Sequence, residues 1–362
     1  MRLVSLAVTD HRNLKQVEFA PGPELTVLCG PNGQGKTNLL EAVWLLTGGK
    51  SFRGSKDAEL IRRGAEFSVL DGVSEAQDGR QDHIRLTVGG KDTPRPGRTA
   101  RLNGAEVGRA AALAGRFTAV VFEPDDLSLV KSGPAGRRRF LDAALCQLWP
   151  GYVATLRRYS RLLAQKNSLL KYWDRTPGAG EMCDAFDADL AVQGGEICRR
   201  RGDYLARLAP LAAQNYAELS RGGEALSLAY RADQGPEHML DALRAARAAD
   251  RRAGFCTVGP HREDFTFALD GQPARVFASQ GQQRSAVLSL KLAEASVAQS
   301  VTGEHPVMLL DDVLSELDPQ RQEYLLTRMR EKQTIVTACD SSLFHKTEGA
   351  MFRVEQGEVK EM

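Results

Sequence analysis

The stretch LTVLCGPNGQGKTNLLEAVWLL, residues 25–46, decides the fold. Its first five residues form a compact apolar run that predicts a buried strand, and an apolar-faced helix follows the glycine-rich turn. Residues 30–37 match the pattern G-x-x-x-x-G-K-[ST] at every position, between the strand and the helix that this motif requires. The sequence therefore predicts an α/β nucleotide-binding core.

Residues 30–37, the phosphate loop, bring together the groups that hold a nucleotide phosphate. They are Gly30, Pro31, Asn32, Gly33, Gln34, Gly35, Lys36 and Thr37. Glycines allow backbone N–H groups to turn toward an anion, and the following helix adds its positive N-terminal dipole. Lys36 is expected to reach the β- and γ-phosphates and Thr37 to ligate Mg²⁺. The alternative, a chance glycine-rich turn, is disfavoured by the flanking strand and helix.

A second candidate site is the acidic end of the stretch PVMLLDDVLSELD, residues 306–318. A carboxylate at the tip of a strand beside a phosphate loop can hold Mg²⁺, partly through water, which suits Asp311. Asp312 is placed to orient or deprotonate an attacking water. Alone, the same pattern would also fit an ordinary strand that runs into a turn.

A third stretch, ASQGQQRS at residues 278–285, opens an apolar-faced helix with an excess of polar residues. Ser279 alone would cap this helix. The glycine and glutamines that follow are more than a cap requires, which indicates a further role. If that role lies outside the subunit, Ser279 and Gly281 should be exposed and distant from their own phosphate loop.

Length and composition limit the class of protein. The chain has 362 residues, 42% of them hydrophobic, a net charge of +2 and six cysteines without C-x-x-C spacing. This length predicts two or more lobes, and the cysteines predict free thiols in a reducing compartment. The N-terminus lacks the pattern of a signal peptide and no apolar run is long enough to span a bilayer, so we expect a cytoplasmic protein.

Changes of pattern along the chain predict an α/β class with a split core. Residues 1–126 and 253–362 are expected to form one nucleotide-binding domain, with an antiparallel β-subdomain at about 68–107. Residues 127–252 read as an inserted, mainly helical lobe. We expect an edge strand at Leu3 to Val8 and core strands at Cys256 to Val258, Phe265 to Leu269 and Val276 to Phe277. The two parts of the core should meet in one sheet.

With these three motifs, the chain resembles the ABC-type ATPases, in particular their SMC-like DNA-repair branch. SQGQQ resembles the signature motif of that family, whose members bind ATP between two subunits. Within the branch the closest resemblance is to the RecF family of bacterial recombination mediators, through LAVTDHRNL, FEPDDLSLVKSGPAGRRRFLD and GPHREDF. The implied fold is an ABC-type P-loop ATPase core with an antiparallel β-subdomain and an inserted helical lobe.

The resemblance also implies partners and residue roles. It implies an ATP-dependent homodimer that binds double-stranded DNA near single-strand junctions, without a membrane, and that acts with RecO and RecR in loading RecA. Arg12 and Asn13 would lie near the nucleotide, and Ser279, Gly281 and Gln282 would contact the ATP of the partner subunit. Ser279 would thereby join Lys36, Asp311 and Asp312 in catalysis. For Arg12 and Asn13 a solvated turn is the open alternative.

Two positions depart from the wider ABC pattern. The strand end reads Asp-Asp where transporters carry Asp-Glu, which shortens the expected base and predicts slow hydrolysis. TACDSS replaces the usual switch histidine, so Asp340 or a backbone group is left as the γ-phosphate sensor. Glu123 lies where a Gln loop is expected, while His261 and Arg262 either couple the lobes or are structural.

Residues 137–171 contain eight basic residues against one acid and predict a DNA-binding patch. The candidate contacts are Arg137, Arg138, Arg139, Arg157, Arg158, Arg161 and Lys166. A solvated helix face is the alternative. Aromatic residues, at 6% of the chain, predict few platforms for base stacking.

Two other functions also stay open: an ABC motor subunit of a membrane transporter, and a scaffold that binds ATP without hydrolysing it.

Overall fold

A computed structural model describes residues 1–232, 235–340 and 349–362. Within these ranges the chain forms two six-stranded sheets, one three-stranded sheet and a group of long helices. None of the described helices combines the length and apolar character needed to cross a membrane.

The first sheet is the mainly parallel core. Its strands are β3 (Leu25–Cys29), β8 (Ala119–Phe122), β12 (Val307–Leu310), β13 (Thr334–Ala338), β14 (Ala350–Glu355) and β15 (Glu358–Glu361). They are ordered β15-β14-β3-β13-β12-β8, and all neighbours are parallel except β14 and β15. The N-terminal strand β3 lies between the C-terminal strands β14 and β13, and the N-terminal strand β8 pairs with the C-terminal strand β12. The prediction that the two parts of the chain meet in one sheet is therefore confirmed.

The second sheet is antiparallel throughout. It contains β1 (Arg2–His11), β2 (Leu14–Phe19), β4 (Phe67–Glu75), β5 (Gln81–Gly89), β6 (Gly97–Leu102) and β7 (Ala105–Arg109). Its order is β2-β1-β4-β5-β6-β7, so the prediction that Leu3 to Val8 lies at an edge is wrong. That strand pairs with β2 on one side and with β4 on the other; its alternating buried side chains, such as Leu3, Leu6 and Val8, define a buried face but do not distinguish an edge strand from an internal one.

One helix, α1 (Lys36–Leu45), lies between these two sheets. Its buried residues, among them Leu39, Leu40 and Val43, belong to one apolar cluster with residues of both sheets, such as Leu6 and Leu28. Because α1 begins at Lys36, this packing fixes the phosphate loop against the ends of the core strands.

The remaining helices, except the single turn α6, are longer than α1. They are α2 (Pro134–Leu148), α3 (Tyr152–Lys171), α4 (Ala179–Leu219), α5 (Met239–Ala253), α6 (Ala274–Phe277), α7 (Gln280–Thr302) and α8 (Pro319–Met329). Helices α2 to α5 fall in the segment expected to be mainly helical. A small sheet of β9 (Leu226–Arg231), β10 (Asp264–Leu269) and β11 (Gln272–Pro273) accompanies them. Where the domain boundaries lie stays a prediction.

Three of the expected core strands are corrected. Phe265 to Leu269 is a strand, but it pairs with β9 and β11 instead of the core. Cys256 to Val258 is irregular, because the amides of Cys256 and Thr257 donate to the side chains of Asn167 and Asp250. Val276 and Phe277 end a helical turn and are exposed.

Candidate nucleotide site

The phosphate loop requires glycine at its two ends. Gly30 has φ 153°, and a Cβ there would lie 2.2 Å from the carbonyl oxygen of Val354. Gly35 has φ 121°, and a Cβ there would lie 2.9 Å from Oδ1 of Asn13. A larger residue would strain the backbone at either position, and it would displace strand β14 at Gly30 and the Asn13 side chain at Gly35.

Lys36 and Thr37 lie where the loop becomes helix α1. The Lys36 ammonium donates to the carbonyl oxygen of Gly30 and to that of Pro31 at 2.9 Å, so its charge sits within the curve of the loop. Thr37 Oγ1 donates to Asp311 Oδ1 at 2.8 Å. The loop and the acidic strand end, far apart in sequence, therefore share one site.

Both ends of the chain hold the loop in place. The Gln34 carbonyl oxygen accepts hydrogen bonds from Asn13 Nδ2 and from the Gly357 amide, each at 3.0 Å. The Gln356 amide donates to Gln34 Oε1 at 2.7 Å. Asn13 thus contacts the phosphate loop directly. The site depends on strands from the first and last parts of the sequence.

Asp311 is a buried carboxylate at the end of β12. Its Oδ1 accepts hydrogen bonds from Thr37 and, at 3.0 Å, from Thr337 Oγ1. Burial raises the pKa of Asp311, while the two hydroxyl donors act against that shift. Thr337 was not among the predicted site residues, and it lies in β13, next to β12, the strand that leads to Asp311.

Asp312 follows in the left-handed region, at φ 51°, and its amide donates to Thr337 Oγ1 at 2.8 Å. The backbone therefore departs from the extended conformation of the strand at this residue. Glu123 follows the neighbouring strand β8, whose Phe122 carbonyl accepts from the Asp311 amide. Burial and the nearby carboxylates Asp126 and Asp125 raise the pKa of Glu123 to about 8.

The donor groups fit a magnesium–nucleotide complex. Mg²⁺ binds oxygen ligands and usually takes one or two protein groups together with substrate phosphates and water. Thr37 and Asp311 supply one hydroxyl and one carboxylate side by side. In the described ranges no cluster of three His, Cys, Asp or Glu residues could hold a metal without further ligands. The pair is thus suited to a metal that arrives with a nucleotide.

Arg12 is directed to helix α1 and not to the loop itself. Its guanidinium pairs with Glu41 at 2.8 Å and donates to Ser55 Oγ at 2.7 Å. Burial alone would raise the pKa of Glu41, but hydrogen bonds from His11, Arg12 and Ser51 outweigh it and lower the pKa to about 2. Arg12 therefore stabilises the helix that carries Lys36.

The start of α7 carries the serine and glutamine predicted to face a second subunit. Ser279 is exposed, and it forms a capping box with Gln282, whose amide donates to Ser279 Oγ at 3.2 Å. The Gln282 side chain also donates to Glu224. Gly281 is half-buried, so the prediction that it is exposed is wrong, because Arg321 packs on it and donates to its carbonyl oxygen at 3.0 Å. Among the described contacts, no hydrogen bond or ion pair joins these residues to the phosphate loop.

Two residues of the predicted DNA patch are buried. Arg137 forms a two-pronged ion pair with Asp264, at 2.7 and 2.8 Å, with its side chain 5% exposed. Lys166 is fully buried and lies 2.7 Å from Asp187 and 3.1 Å from Asp250. The prediction that these two contact DNA is wrong, because their charges are neutralised inside the lobe.

The other candidates for DNA contact lie at the surface. Arg139, Arg157, Arg158 and Arg161 are exposed, and Arg138 is half-buried with its guanidinium donating to the Glu263 carbonyl. Of the four exposed arginines, only Arg158 has a carboxylate partner among the described ion pairs, Asp189 at 3.3 Å. Free positive charge therefore remains on α2 and α3.

Two further positions singled out in the sequence have defined places. His261 Nε2 donates to the Cys256 carbonyl oxygen at 3.0 Å, and its Nδ1 accepts from the Tyr159 hydroxyl at 2.7 Å, which is a structural position in the helical region. Asp340 follows β13, close to the phosphate loop, since its charge acts on Cys29 at the end of β3. Its role as a γ-phosphate sensor stays a prediction.

Comparison with known proteins places this site in a family context. Residues 2–361 match the family model described as the RecF/RecN/SMC N terminal domain. A protein called DNA replication and repair protein RecF, from Anaeromyxobacter sp. (strain Fw109-5), is 41% identical over 99% of both chains. One of the same name from Heliobacterium modesticaldum is 39% identical over the same shares.

Solved structures show the same fold. The recombination mediator protein RecF-ATP in the RecFOR pathway superposes with a TM-score of 0.90, at 33% identity, over 99% of this chain and 97% of that one. An SMC head bound to the C-winged helix domain of ScpA has a TM-score of 0.56 at 16% identity, over 100% and 97% of the two chains, and supports the fold alone. The ABC-type ATPase fold expected from the sequence is confirmed.

Proposed function

The chain belongs to the RecF/RecN/SMC N-terminal domain family and within it to RecF, and from that premise we propose that it is an ATP-dependent DNA-binding protein of recombinational repair. ATP would join two copies of the chain, and the dimer would bind duplex DNA near single-strand gaps. RecO and RecR would act with it in loading RecA. Hydrolysis of ATP would then release the DNA.

The observation that carries the proposal is that the phosphate loop and the start of α7 do not contact each other within one chain. The phosphate loop, Lys36, Thr37 and Asp311 are gathered on the core sheet, whereas the exposed start of α7 at Ser279 has its contacts elsewhere. A helix N-terminus with unused N–H groups favours an anion. The γ-phosphate held by a second copy is the anion that would complete both halves.

Each side chain would have a distinct task in phosphoryl transfer to water. Lys36 would turn from the loop carbonyls to the β- and γ-phosphates, and Thr37 with Asp311 would hold Mg²⁺, which neutralises the charge that develops on the phosphates. Asp312 would orient the attacking water. Ser279 and the amide of Gly281 would bind the γ-phosphate from the partner side, and the Gln282 amide would exchange its bond to Ser279 Oγ for the phosphate.

Slow hydrolysis is part of the proposal. Asp312 has one methylene less than the glutamate usual in transporters, so its carboxylate reaches less far toward a water. Slow turnover suits a switch whose ATP-bound form persists on DNA. A transporter motor is not favoured by any feature of the described residues.

Duplex binding would use the exposed arginines of α2 and α3, from Arg139 to Arg161. Phosphate contacts of this kind are independent of base sequence and weaken steeply with salt. Arg157→Gln together with Arg161→Gln should therefore weaken duplex binding and reduce the slope of its logarithm against the logarithm of salt by about 2.

The test of the dimer combines sizing with duplex binding, with and without ATP and Mg²⁺. The native chain should become dimeric with ATP, whereas Lys36→Met and Ser279→Arg should stay monomeric. Ser300→Arg is the matched control, because Ser300 is exposed at the other end of the same helix. A native chain that stays monomeric with saturating ATP would overturn the shared site.

Turnover separates the switch from a scaffold that only binds ATP. A switch should show slow ATP hydrolysis that is lost in Asp312→Asn while ATP binding persists. A scaffold would show no turnover that depends on Lys36 and Asp312.

A further inference from the structure

One region of the helices combines aromatic rings that are wholly or partly exposed with exposed cations. It comprises Tyr172 and Trp173, after α3, and Phe255, after α5, each with a cation over its ring: Lys171, Arg251 and Arg262. We call these six residues the aromatic–basic patch. Neither the nucleotide site nor the arginines proposed to bind duplex DNA include them.

Contacts between the two segments bring the patch together. The Arg251 guanidinium lies 4.7 Å from the centre of the Trp173 ring and 3.3 Å from Asp174. The Asn167 side chain, one turn earlier in α3, accepts from the amide of Cys256, the neighbour of Phe255, at 2.7 Å. The segments that follow α3 and α5 therefore lie side by side.

The rings are open to solvent on their other side. Tyr172 is 49% exposed and Phe255 is 42% exposed, while Trp173 is half-buried against Leu169 and Cys183. Lys171 and Arg262 lie 5.6 and 4.9 Å from their ring centres, within the range of a cation–π contact. These contacts hold the rings in place without covering them.

The charge of the patch is positive. Asp174 is the one carboxylate that pairs with it in the described part of the chain, through Arg251. Lys171 and Arg262 are exposed and have no ion-pair partner within the same ranges, and Arg252 adds a further exposed cation beside Arg251. An anionic ligand would relieve the mutual repulsion of these groups.

Exposed aromatic rings beside cations suit single-stranded nucleic acid better than a duplex. A single strand offers unpaired bases that stack on aromatic side chains while its phosphates contact Lys and Arg. A duplex keeps its bases stacked on each other and presents mainly phosphates, so it would gain little from Tyr172 or Phe255.

We propose that the aromatic–basic patch binds single-stranded DNA, with unpaired bases stacked on Tyr172 and Phe255 and phosphates held by Lys171, Arg251 and Arg262. The inference rests on the proposed DNA-binding function and adds a surface and a strand type to it. A gapped DNA would then contact the chain twice, its duplex at the arginines of α2 and α3 and its single strand at this patch.

The experiment compares two probes on the full-length chain with ATP and Mg²⁺: a fluorescent dT oligonucleotide of about 16 nucleotides and a blunt duplex of the same length. Tyr172→Ala and Phe255→Ala should each weaken binding of the oligonucleotide about 5- to 150-fold, since stacking contributes about 1–3 kcal/mol per base. Duplex binding should change less than about twofold. Tyr172→Phe, which keeps the ring, should retain binding of the oligonucleotide.

Phe67→Ala is the matched control, because Phe67 is an exposed ring, 37% accessible, on strand β4 of the antiparallel sheet. It should leave both affinities unchanged. The inference is overturned if a folded double variant, Tyr172→Ala with Phe255→Ala, binds the oligonucleotide like the native chain, or loses both probes equally. If the native chain binds neither probe, the proposed DNA-binding function itself fails.

Discussion

The burial of Lys166 predicts a loss of stability on its substitution. The charge pattern of the sequence suggested that Lys166 contacts DNA, whereas the structure places it in an internal ion pair. The Lys166 ammonium lies 2.7 Å from Asp187 and 3.1 Å from Asp250, and all three side chains are fully buried. These three residues come from α3, α4 and α5. Lys166→Met keeps most of the side-chain volume and removes only the charge that joins the three helices.

The magnitude follows from the two carboxylates that the substitution leaves behind. Removing one partner of a buried ion pair costs about 3–5 kcal/mol, because the remaining charge is uncompensated. Burial would lower the pKa of Lys166, but Cys256, Asp187 and Asp250 outweigh it and raise the pKa, so the native side chain is charged. We therefore expect a loss of about 3–5 kcal/mol in the free energy of unfolding.

Unfolding in guanidinium chloride, monitored by the circular dichroism signal of the helices, measures this loss. Arg161→Met is the matched control, since Arg161 is exposed on the same helix, and it should change stability by less than about 0.5 kcal/mol. Adding Asp250→Asn to Lys166→Met should restore part of the stability by removing one unpaired charge. The reasoning fails if Lys166→Met is as stable as the control, or if it weakens duplex binding without loss of stability.

Three further predictions concern the nucleotide site and its supports. The Glu41 carboxylate, with a pKa of about 2, should contribute about 3 kcal/mol of stability at neutral pH that is lost as the pH falls from about 4.5 toward 2. Glu41→Gln should flatten the pH dependence of the denaturant midpoint in that window, and an unchanged slope would contradict the assignment. Glu123 should change stability with pH in the opposite direction, because its pKa of about 8 means that the native state binds more protons than the unfolded state. Stability should therefore fall as the pH rises from about 4.5 to 8, and Glu123→Gln should remove this decline from thermal melts. Gly30→Ala should abolish binding of a fluorescent ATP analogue, because its Cβ would lie 2.2 Å from the Val354 carbonyl oxygen, whereas Gly79→Ala, at a positive φ with open space around it, should bind normally.

The nucleotide-binding half of the site could be located from sequence because its signals are local. The phosphate loop and the acidic residues at Asp311 are each encoded by one short sequence pattern. Each pattern directly follows a predicted strand, so both were expected at the same edge of one sheet. Thr337 was missed, since a threonine in an apolar strand gives no separate signal. Its two hydrogen bonds, to Asp311 and to the Asp312 amide, become visible only when β12 and β13 are paired.

The errors arose where distant side chains override a local pattern. The basic run on α2 and α3 predicted solvent exposure for Arg137 and Lys166, but Asp264, Asp187 and Asp250 lie far from them in sequence. The aromatic–basic patch was missed for the same reason. Its two segments become neighbours only after α3 and α5 pack together, so a low overall aromatic content did not exclude a local cluster.

The most direct test of the shared site mixes two inactive variants. Lys36→Met lacks a working phosphate loop, and Ser279→Arg lacks a working start of α7, so neither should hydrolyse ATP alone. A mixed dimer would contain one site with both defects and one intact site, formed by Lys36 of one copy and Ser279 of the other. We predict that mixing the variants restores part of the native ATP turnover. Turnover by either variant alone at the native rate, or a mixture as inactive as its components, would contradict the account.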